Sequence, residues 1–193
     1  MAATHAARRF LQERPRDEEG LRRLAAAVSE ELVRVGGRDP ALRGLGTTLV
    51  SLLVRGDSAS WVSVGDSRLY MLRRGILGLL AEPHDLLGIL LREGVLEPEE
   101  AEASPLRGRL TSHLGRDRPE VSSGSLRLAR GDRVALVTDG VVEGGEARIA
   151  MILGSESPRR AAEVLVRGVA TEDNATAVVL EIERLEEPCS ASS

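Results

Sequence analysis

Apolar residues in the first part of the chain recur at helical spacing. They lie at Leu21, Leu24, Ala25, Val28, Leu32 and Val35, within segments rich in Ala, Leu, Glu and Arg. A period of about 3.6 residues is typical of amphipathic helices, so the pattern predicts helices over 4–12 and 18–35. We expect Gly36-Gly37 to end the second helix, because glycine commonly follows the last helical residue and Asp39-Pro40 prevents continuation.

After residue 46 the pattern changes to short runs rich in β-branched residues. These runs predict strands over 47–54, 59–64, 68–73 and 76–80. The first two runs are separated by Arg55-Gly56-Asp57-Ser58, which is typical of a hairpin loop. Four short strands joined by tight turns favour an antiparallel sheet.

The second half of the chain alternates between helices and strands. Helices are predicted over 85–92, 97–103 and 158–169, and strands over 133–138 and 175–182. Between them, residues 104–124 are polar and poor in apolar side chains, so we expect mostly loop. We interpret residues 1–185 as one domain and residues 186–193 as a disordered tail.

Composition restricts the class of protein. The chain has 193 residues, of which 42% are hydrophobic, enough for a single core without a disulfide or a structural metal. The lone Cys189 cannot form an internal bridge, and no apolar run reaches the length of a membrane helix or a secretory signal. With 26 basic and 30 acidic residues the net charge is −4. We therefore expect a cytoplasmic protein that binds neither nucleic acid nor membrane.

Three acidic residues stand directly beyond or before predicted strands, and they are candidate metal ligands. Asp66 and Asp139 each follow an apolar run, and Asp173 precedes the last strand. Each could instead form an ordinary Asx-type turn, and for any one of them we favour that alternative, because Asp-Gly is a common turn dipeptide. Three such carboxylates together favour a site for Mg²⁺ or Mn²⁺, which prefer oxygen ligands.

The histidines and the tryptophan have simpler interpretations. His84 and His113 are expected at the surface or in hydrogen bonds rather than as ligands, because no other His or Cys stands at zinc-like spacing. Trp61 is expected to be buried or half-buried in the core.

Six segments occur in the order typical of a known family. They are 44–49 (GLGTTL), 64–70 (VGDSRLY), 83–85 (PHD), 110–115 (LTSHLG), 132–140 (DRVALVTDG) and 173–176 (DNAT). Together they resemble the motifs of the type 2C metal-dependent protein phosphatases, the PPM family. The resemblance implies an α+β fold, a four-layer α-β-β-α sandwich of two antiparallel sheets flanked by helices.

The resemblance also implies a reaction and its cofactors. Two Mn²⁺ or Mg²⁺ ions bind the phosphate in this family, and a metal-activated water attacks phosphorus without a phosphoenzyme. No side chain of this chain is therefore assigned as a nucleophile. On the family pattern Asp139, with Gly140 beside it, and Asp173 would serve one ion. Asp66 would serve an additional, weaker ion, with Glu143 assisting, and Asn174, Thr47 and Ser67 would support the site.

The family's Asn-Glu-Asp and Asp-Gly-Met-Gly-Gly motifs are not found in this sequence. In the family they provide the carboxylate that bridges the two ions, and we expect this chain to begin just after it. The two-metal site and the sandwich are then expected to be incomplete at the N-terminus. Uncovered sheet edges invite self-association or a completing partner, and the isolated chain is expected to show weak or no phosphatase activity.

Two interpretations of the function follow from these motifs. The first is a protein serine/threonine phosphatase in signalling, which acts on phosphorylated proteins; the retained Asp66, Asp139, Asp173 and Asn174 favour it. The alternative is a pseudophosphatase that binds a phosphoprotein or a regulator without hydrolysing it. Pro83, where the family usually has Asp, and the missing bridging carboxylate favour the alternative.

Overall fold

The structure is a computed structural model, and it describes residues 1–97, 100, 104–106, 108–142, 144–168 and 173–185. Most of the predicted helix over 97–103, the predicted tail over 186–193 and Glu143 lie outside the described residues. Among the described residues, no helix has the length and apolar character needed to cross a membrane.

Two helices open the chain, as predicted. Helix α1 spans Ala2–Glu13 and α2 spans Glu18–Arg38, with the Asp17 side chain accepting a hydrogen bond from the Gly20 amide at its start. The prediction that α2 ends at Gly36-Gly37 is wrong. A methyl group on Gly36 would lie 2.9 Å from the carbonyl oxygen of Leu42, so this glycine lets the following 3₁₀ turn pack against the helix.

Among the described residues, seven strands form two antiparallel sheets. They are β1 (Leu49–Arg55), β2 (Ser58–Val64), β3 (Arg68–Arg73), β4 (Ile76–Leu79), β5 (Ser122–Arg127), β6 (Arg133–Val137) and β7 (Ala177–Glu181). One sheet has the order β1-β2-β5 and the other β4-β3-β6-β7. The tight turns between the first four strands suggested one shared sheet, and this prediction is wrong. The chain crosses from one sheet to the other after β2. The family-based expectation of two antiparallel sheets flanked by helices is confirmed.

In the part of the chain that the structure describes, four further helices follow the first sheet strands. They are α3 (Leu86–Arg92), α4 (Asp139–Val142), α5 (Glu146–Ser155) and α6 (Pro158–Arg167). The first and last of these confirm predicted helices, whereas the sequence pattern predicts neither α4 nor α5. Strand β5 was also not predicted, and it begins inside the polar stretch expected to be loop.

Three apolar clusters of described residues hold the layers together. Helices α1 and α2 cover one sheet through residues such as Leu21 and Val28, which are fully buried against Val62. Helices α5 and α6 cover the other sheet, and a third cluster joins the two sheets around Leu69 and Val134. The layers thus follow the order helix, sheet, sheet, helix. Trp61 is half-buried in the third cluster, as predicted.

Candidate functional site

The pairing of β3 with β6 brings two of the predicted acidic residues to one end of a sheet. In this antiparallel pair Arg68 lies opposite Val137. Asp66 comes two residues before Arg68, and Asp139 comes two residues after Val137. Continuing the register past the strand ends therefore places both carboxylates at the same end of the sheet.

Asp66 and Asp139 line a common cavity of about 170 Å³. The other residues that line it are Arg68, Asp85, Leu87, Gly108 and Val142. Asp66 is half-buried, whereas Asp139 is exposed at the mouth of the cavity. The structure thus joins residues from the turn after β2, the start of α3 and the turn after β6 around one acidic space.

The surroundings of this cavity disfavour the ionised form of Asp66. Burial raises the pKa of Asp66 to about 6, and the negative charges of Asp139 and Asp85 act in the same direction. The backbone amide of Asp66 and the Arg68 guanidinium oppose the rise only in part. A cation between the carboxylates would remove this repulsion.

The donors present fit one hydrated divalent cation. Carboxylate oxygens are the ligands that Mg²⁺ and Mn²⁺ prefer, and Mg²⁺ commonly binds proteins through one or two carboxylates while keeping several waters. The described residues contain no group of three or more His, Cys, Asp or Glu side chains arranged to hold an ion. The cavity therefore matches part of a metal site rather than a complete two-ion cage.

The turn that carries Asp139 is held against the segment before β7. The Thr138 amide donates to the carbonyl oxygen of Thr176 at 3.1 Å, and the Thr176 amide donates to Oγ1 of Thr138 at 2.9 Å. A methyl group on Gly140 would lie 2.9 Å from the carbonyl oxygen of Asn174. Close contact between these two backbones keeps the Asp139 turn beside Asn174.

Asp173 lies in the same segment, but it does not line the cavity formed by Asp66 and Asp139. Its carboxylate accepts a hydrogen bond from the Asn174 amide at 2.7 Å. The side chain is exposed. Its ligand role, like that of Gly140, remains a prediction from the family pattern.

Ser67, one of the predicted supporting residues, lies in the turn between β2 and β3 and is bonded there to Thr48. The hydroxyl groups of Thr48 and Ser67 are 3.0 Å apart and share a hydrogen bond. Gly65 has a φ of +103°, and a methyl group there would lie 2.5 Å from Cγ2 of Thr48. Thr47 instead exchanges two backbone hydrogen bonds with Leu114, which ties the start of β1 to the 110–115 segment.

His84 supports the same turn. It is only 5% exposed; its Nδ1 accepts a hydrogen bond from the Gly65 amide at 3.1 Å, and its Nε2 is 2.8 Å from Oγ of Ser122. Burial lowers the pKa of His84, which favours the neutral ring. Its predicted role as a hydrogen-bonded residue is confirmed, but its burial beside the Asp66 turn was missed. The sequence feature that could have indicated this burial is the 83–85 segment, which resembles a family motif.

Asp85 and Arg68 are cavity residues that the sequence did not single out. The Asp85 side chain caps α3 by accepting from the Gly88 amide. The Arg68 guanidinium lies 3.4 Å from the Tyr70 hydroxyl and 3.8 Å from Glu146. Arg68 therefore adds one positive charge to a cavity that three aspartates also line.

Relatives by sequence are bacterial protein phosphatases. The chain is 35% identical over 147 residues to the protein phosphatase PhpP of Streptococcus pneumoniae, covering 76% of this chain and 53% of PhpP. It is 30% identical over 170 residues to the serine/threonine phosphatase stp of Listeria innocua, covering 85% of this chain and 68% of stp. The chain thus spans about half the length of PhpP. No family model matches it.

Solved structures also relate this chain to serine/threonine phosphatases. The serine/threonine phosphatase PstP of Mycobacterium tuberculosis superposes with a TM-score of 0.84 at 27% identity, over 95% of this chain and 82% of that chain. The catalytic domain of PstP in complex with two manganese ions superposes with a TM-score of 0.83 at 25% identity, over 95% and 81% of the two chains.

Proposed function

Since this chain belongs to the type 2C, or PPM, family of metal-dependent protein phosphatases, we propose that it serves the hydrolysis of phosphoserine and phosphothreonine in proteins. Metal ions, Mn²⁺ or Mg²⁺, are the cofactors of this family, and a PstP structure holds two manganese ions. The proposed substrates are phosphorylated proteins, as the names of the relatives indicate for those proteins.

One observation carries the proposal: the register of β3 and β6 places Asp66 and Asp139 on one cavity. We propose that these two carboxylates hold a divalent cation there. When bound, such an ion supplies Lewis-acid neutralisation of phosphate charge and lowers the pKa of water. The proposal extends to Asp173, whose segment contacts the Asp139 turn through Asn174 and Gly140.

The chain's own residues have distinct tasks in this proposal. Asp66 and Asp139 hold the cation. Hydrogen bonds of Gly65, His84 and Ser67 keep the Asp66 turn in place. Arg68 gives the cavity wall a positive charge that attracts a phosphate dianion. With two carboxylates in the cavity, we expect weak metal affinity and slow turnover by the 193-residue chain.

The test is hydrolysis of p-nitrophenyl phosphate by the whole chain, with excess Mn²⁺ and with EDTA. We expect slow turnover that requires Mn²⁺ and falls at least about tenfold in Asp139→Asn. Loss of a residue that only hydrogen-bonds to a metal ligand commonly lowers activity by about tenfold or more, and loss of a ligand should lower it at least as much. The matched control is Asp117→Asn, an exposed aspartate outside the cavity.

Two outcomes of this assay would contradict the proposal. Turnover that is insensitive to Asp139→Asn would show that hydrolysis occurs elsewhere. Absence of turnover in a folded chain that binds Mn²⁺ would favour the pseudophosphatase alternative, in which the cavity binds a phosphoprotein without hydrolysing it.

A further inference from the structure

Arg68 lines the same cavity as three carboxylates, yet it pairs with a group outside that cavity. Asp66, Asp85 and Asp139 are the acidic residues of the lining. Among the residues that the structure describes, the ion pair of Arg68 within 4.0 Å is with Glu146, where Nη1 lies 3.8 Å from Oε1. Glu146 is not among the described residues that line the cavity. A carboxylate outside the cavity therefore holds the guanidinium.

Tyr70 connects Arg68 to Glu146. Its hydroxyl donates a hydrogen bond to Oε1 of Glu146 at 3.0 Å and accepts one from Nη1 of Arg68 at 3.4 Å. Burial raises the pKa of Tyr70 to about 12, so the hydroxyl keeps its proton at neutral pH. That single proton goes to the carboxylate, which leaves the hydroxyl oxygen to accept from the guanidinium. We call these three side chains the Arg68–Tyr70–Glu146 network.

The fold fixes the two residues that hold Arg68. Arg68 and Tyr70 are two residues apart on β3, so their side chains share the face of the sheet that α5 covers. Tyr70 is 0% exposed and packs in the same apolar cluster as Ile149 of α5. Glu146 lies in the first turn of α5, where the helix dipole favours a negative charge. A buried ring and the start of a helix thus position the partners of the guanidinium.

The cavity itself offers Arg68 stronger acceptors than the Tyr70 hydroxyl. A guanidinium and a carboxylate form charge-assisted, often bidentate hydrogen bonds, which are stronger than a bond to a neutral hydroxyl. A guanidinium bound to Asp66 or Asp139 would occupy the oxygens that the proposed cation needs. The network opposes this competition, because it gives Arg68 a charged partner on the other side.

The guanidinium keeps donors that have no protein acceptor. It has five N–H donors, and within the described ranges the hydrogen bond that it makes is the one from Nη1 to Tyr70. Its Nε is buried and has no partner in the described part of the chain. Phosphate oxygens match the fork of a guanidinium well. Arg68 is therefore held at the cavity wall with donors left for an anion.

We propose that Tyr70 and Glu146 are positioning residues of the cavity, which hold the Arg68 guanidinium apart from the carboxylates of Asp66 and Asp139. The carboxylates then stay free for the divalent cation, and the guanidinium stays free for a phosphate oxygen. This inference rests on the proposed function, because it places the cation and the phosphate in the same cavity.

The first test is the crystal structure of the double variant Tyr70→Phe/Glu146→Gln without metal, beside that of the parent. These substitutions remove the hydroxyl and the negative charge but keep the buried ring and the side-chain length. We expect the guanidinium at hydrogen-bond distance from Asp66 or Asp139 in the variant and beside Tyr70 in the parent. A guanidinium that keeps its place in the variant would overturn the proposal. This comparison requires neither metal binding nor turnover.

The second test is Mn²⁺ titration of the whole chain, followed by electron paramagnetic resonance. Tyr70→Phe changes no charge, yet it should weaken Mn²⁺ binding at least about threefold, because the released guanidinium competes for the carboxylates. The matched control is the same substitution in an Arg68→Ala background. It should have no effect there, since no guanidinium is left to move.

The outcomes separate this inference from the proposed function. Equal weakening by Tyr70→Phe in both backgrounds would overturn the positioning role, because the effect would not pass through Arg68. No weakening in either background, with a parent that binds Mn²⁺, would overturn it as well. A folded parent that binds no Mn²⁺ would contradict the proposed function, and the crystal comparison would then decide the positioning of Arg68 by itself.

Discussion

Nδ1 of His84 accepts a hydrogen bond from the backbone amide of Gly65 at 3.1 Å. The His84 amide in turn donates to the carbonyl oxygen of Gly65 at 2.8 Å. These two contacts join the segment after β4 to the turn that carries Asp66. The imidazole is buried, so its contacts are not exchanged easily for contacts with water.

We predict that His84→Ala destabilises the protein by about 1–3 kcal/mol, because it leaves the buried Gly65 amide without an acceptor. The measurement is the free energy of unfolding from urea titration. His84→Asn, whose side-chain oxygen can reach the place of Nδ1, should recover part of the loss. Equal loss in both variants would show that the effect comes from packing alone.

Gly65→Ala should be among the more destabilising single-methyl additions in the chain. The added carbon would lie 2.5 Å from Cγ2 of Thr48, at a φ of +103°. We expect a loss of more than about 2 kcal/mol, from a strained backbone and from the clash together. The matched control is Gly56→Ala, which also has a positive φ of +57° but no atom within 4 Å of the added carbon. Similar urea midpoints for the two variants would contradict this.

We predict that the protein loses stability in acid because of Asp132. Its buried carboxylate accepts from Nε and Nη2 of Arg73 at 2.8 and 2.6 Å, and from the Ala129 amide at 2.6 Å. The Arg73 hydrogen bonds lower the pKa of Asp132, despite the opposing effect of burial. A lowered folded-state pKa stabilises the protein above the ordinary value of 3.8, and this contribution is lost as the pH falls through the folded-state pKa.

We therefore expect Asp132→Asn to be less stable than the parent by about 1–3 kcal/mol at pH 7, since it weakens charge-assisted hydrogen bonds to a buried group. The difference should shrink as urea unfolding is repeated at pH values from about 4 down through the folded-state pKa, because the carboxylate becomes protonated first in the unfolded state and then in the folded state. Asp57→Asn, at a more exposed ion pair with Arg127, is the matched control and should change little. A difference for Asp132→Asn that is independent of pH would contradict the assignment.

The strand positions could be predicted closely, but not the division of strands between two sheets. Alternation and turn residues predicted β3 over 68–73, which the structure confirms. The turn at 65–67 carries no local signal that the chain leaves one sheet for the other. Strand β5 escaped prediction because its serines are satisfied by Glu18, a contact 105 and 107 residues away in sequence.

The sequence predicted the motif residues of the site but not how they are arranged. Asp66 and Asp139 stood out because each follows an apolar strand, and their common cavity depends on a strand pairing that the sequence does not specify. His84 was missed as a positioning residue, since its partner Ser122 lies on β5, 38 residues away in sequence. The roles of Asp173, Gly140, Asn174 and Thr47 stay predictions, and Glu143 lies outside the described residues.

The central claim is that Asp66 and Asp139 together hold a divalent cation, and Mn²⁺ titration followed by electron paramagnetic resonance tests it most directly. We expect weak, saturable binding to the whole chain, reduced at least about tenfold in both Asp66→Asn and Asp139→Asn. Asp117→Asn should bind as the parent does. Binding that survives both cavity variants, or no binding at all by the folded parent, would contradict the claim.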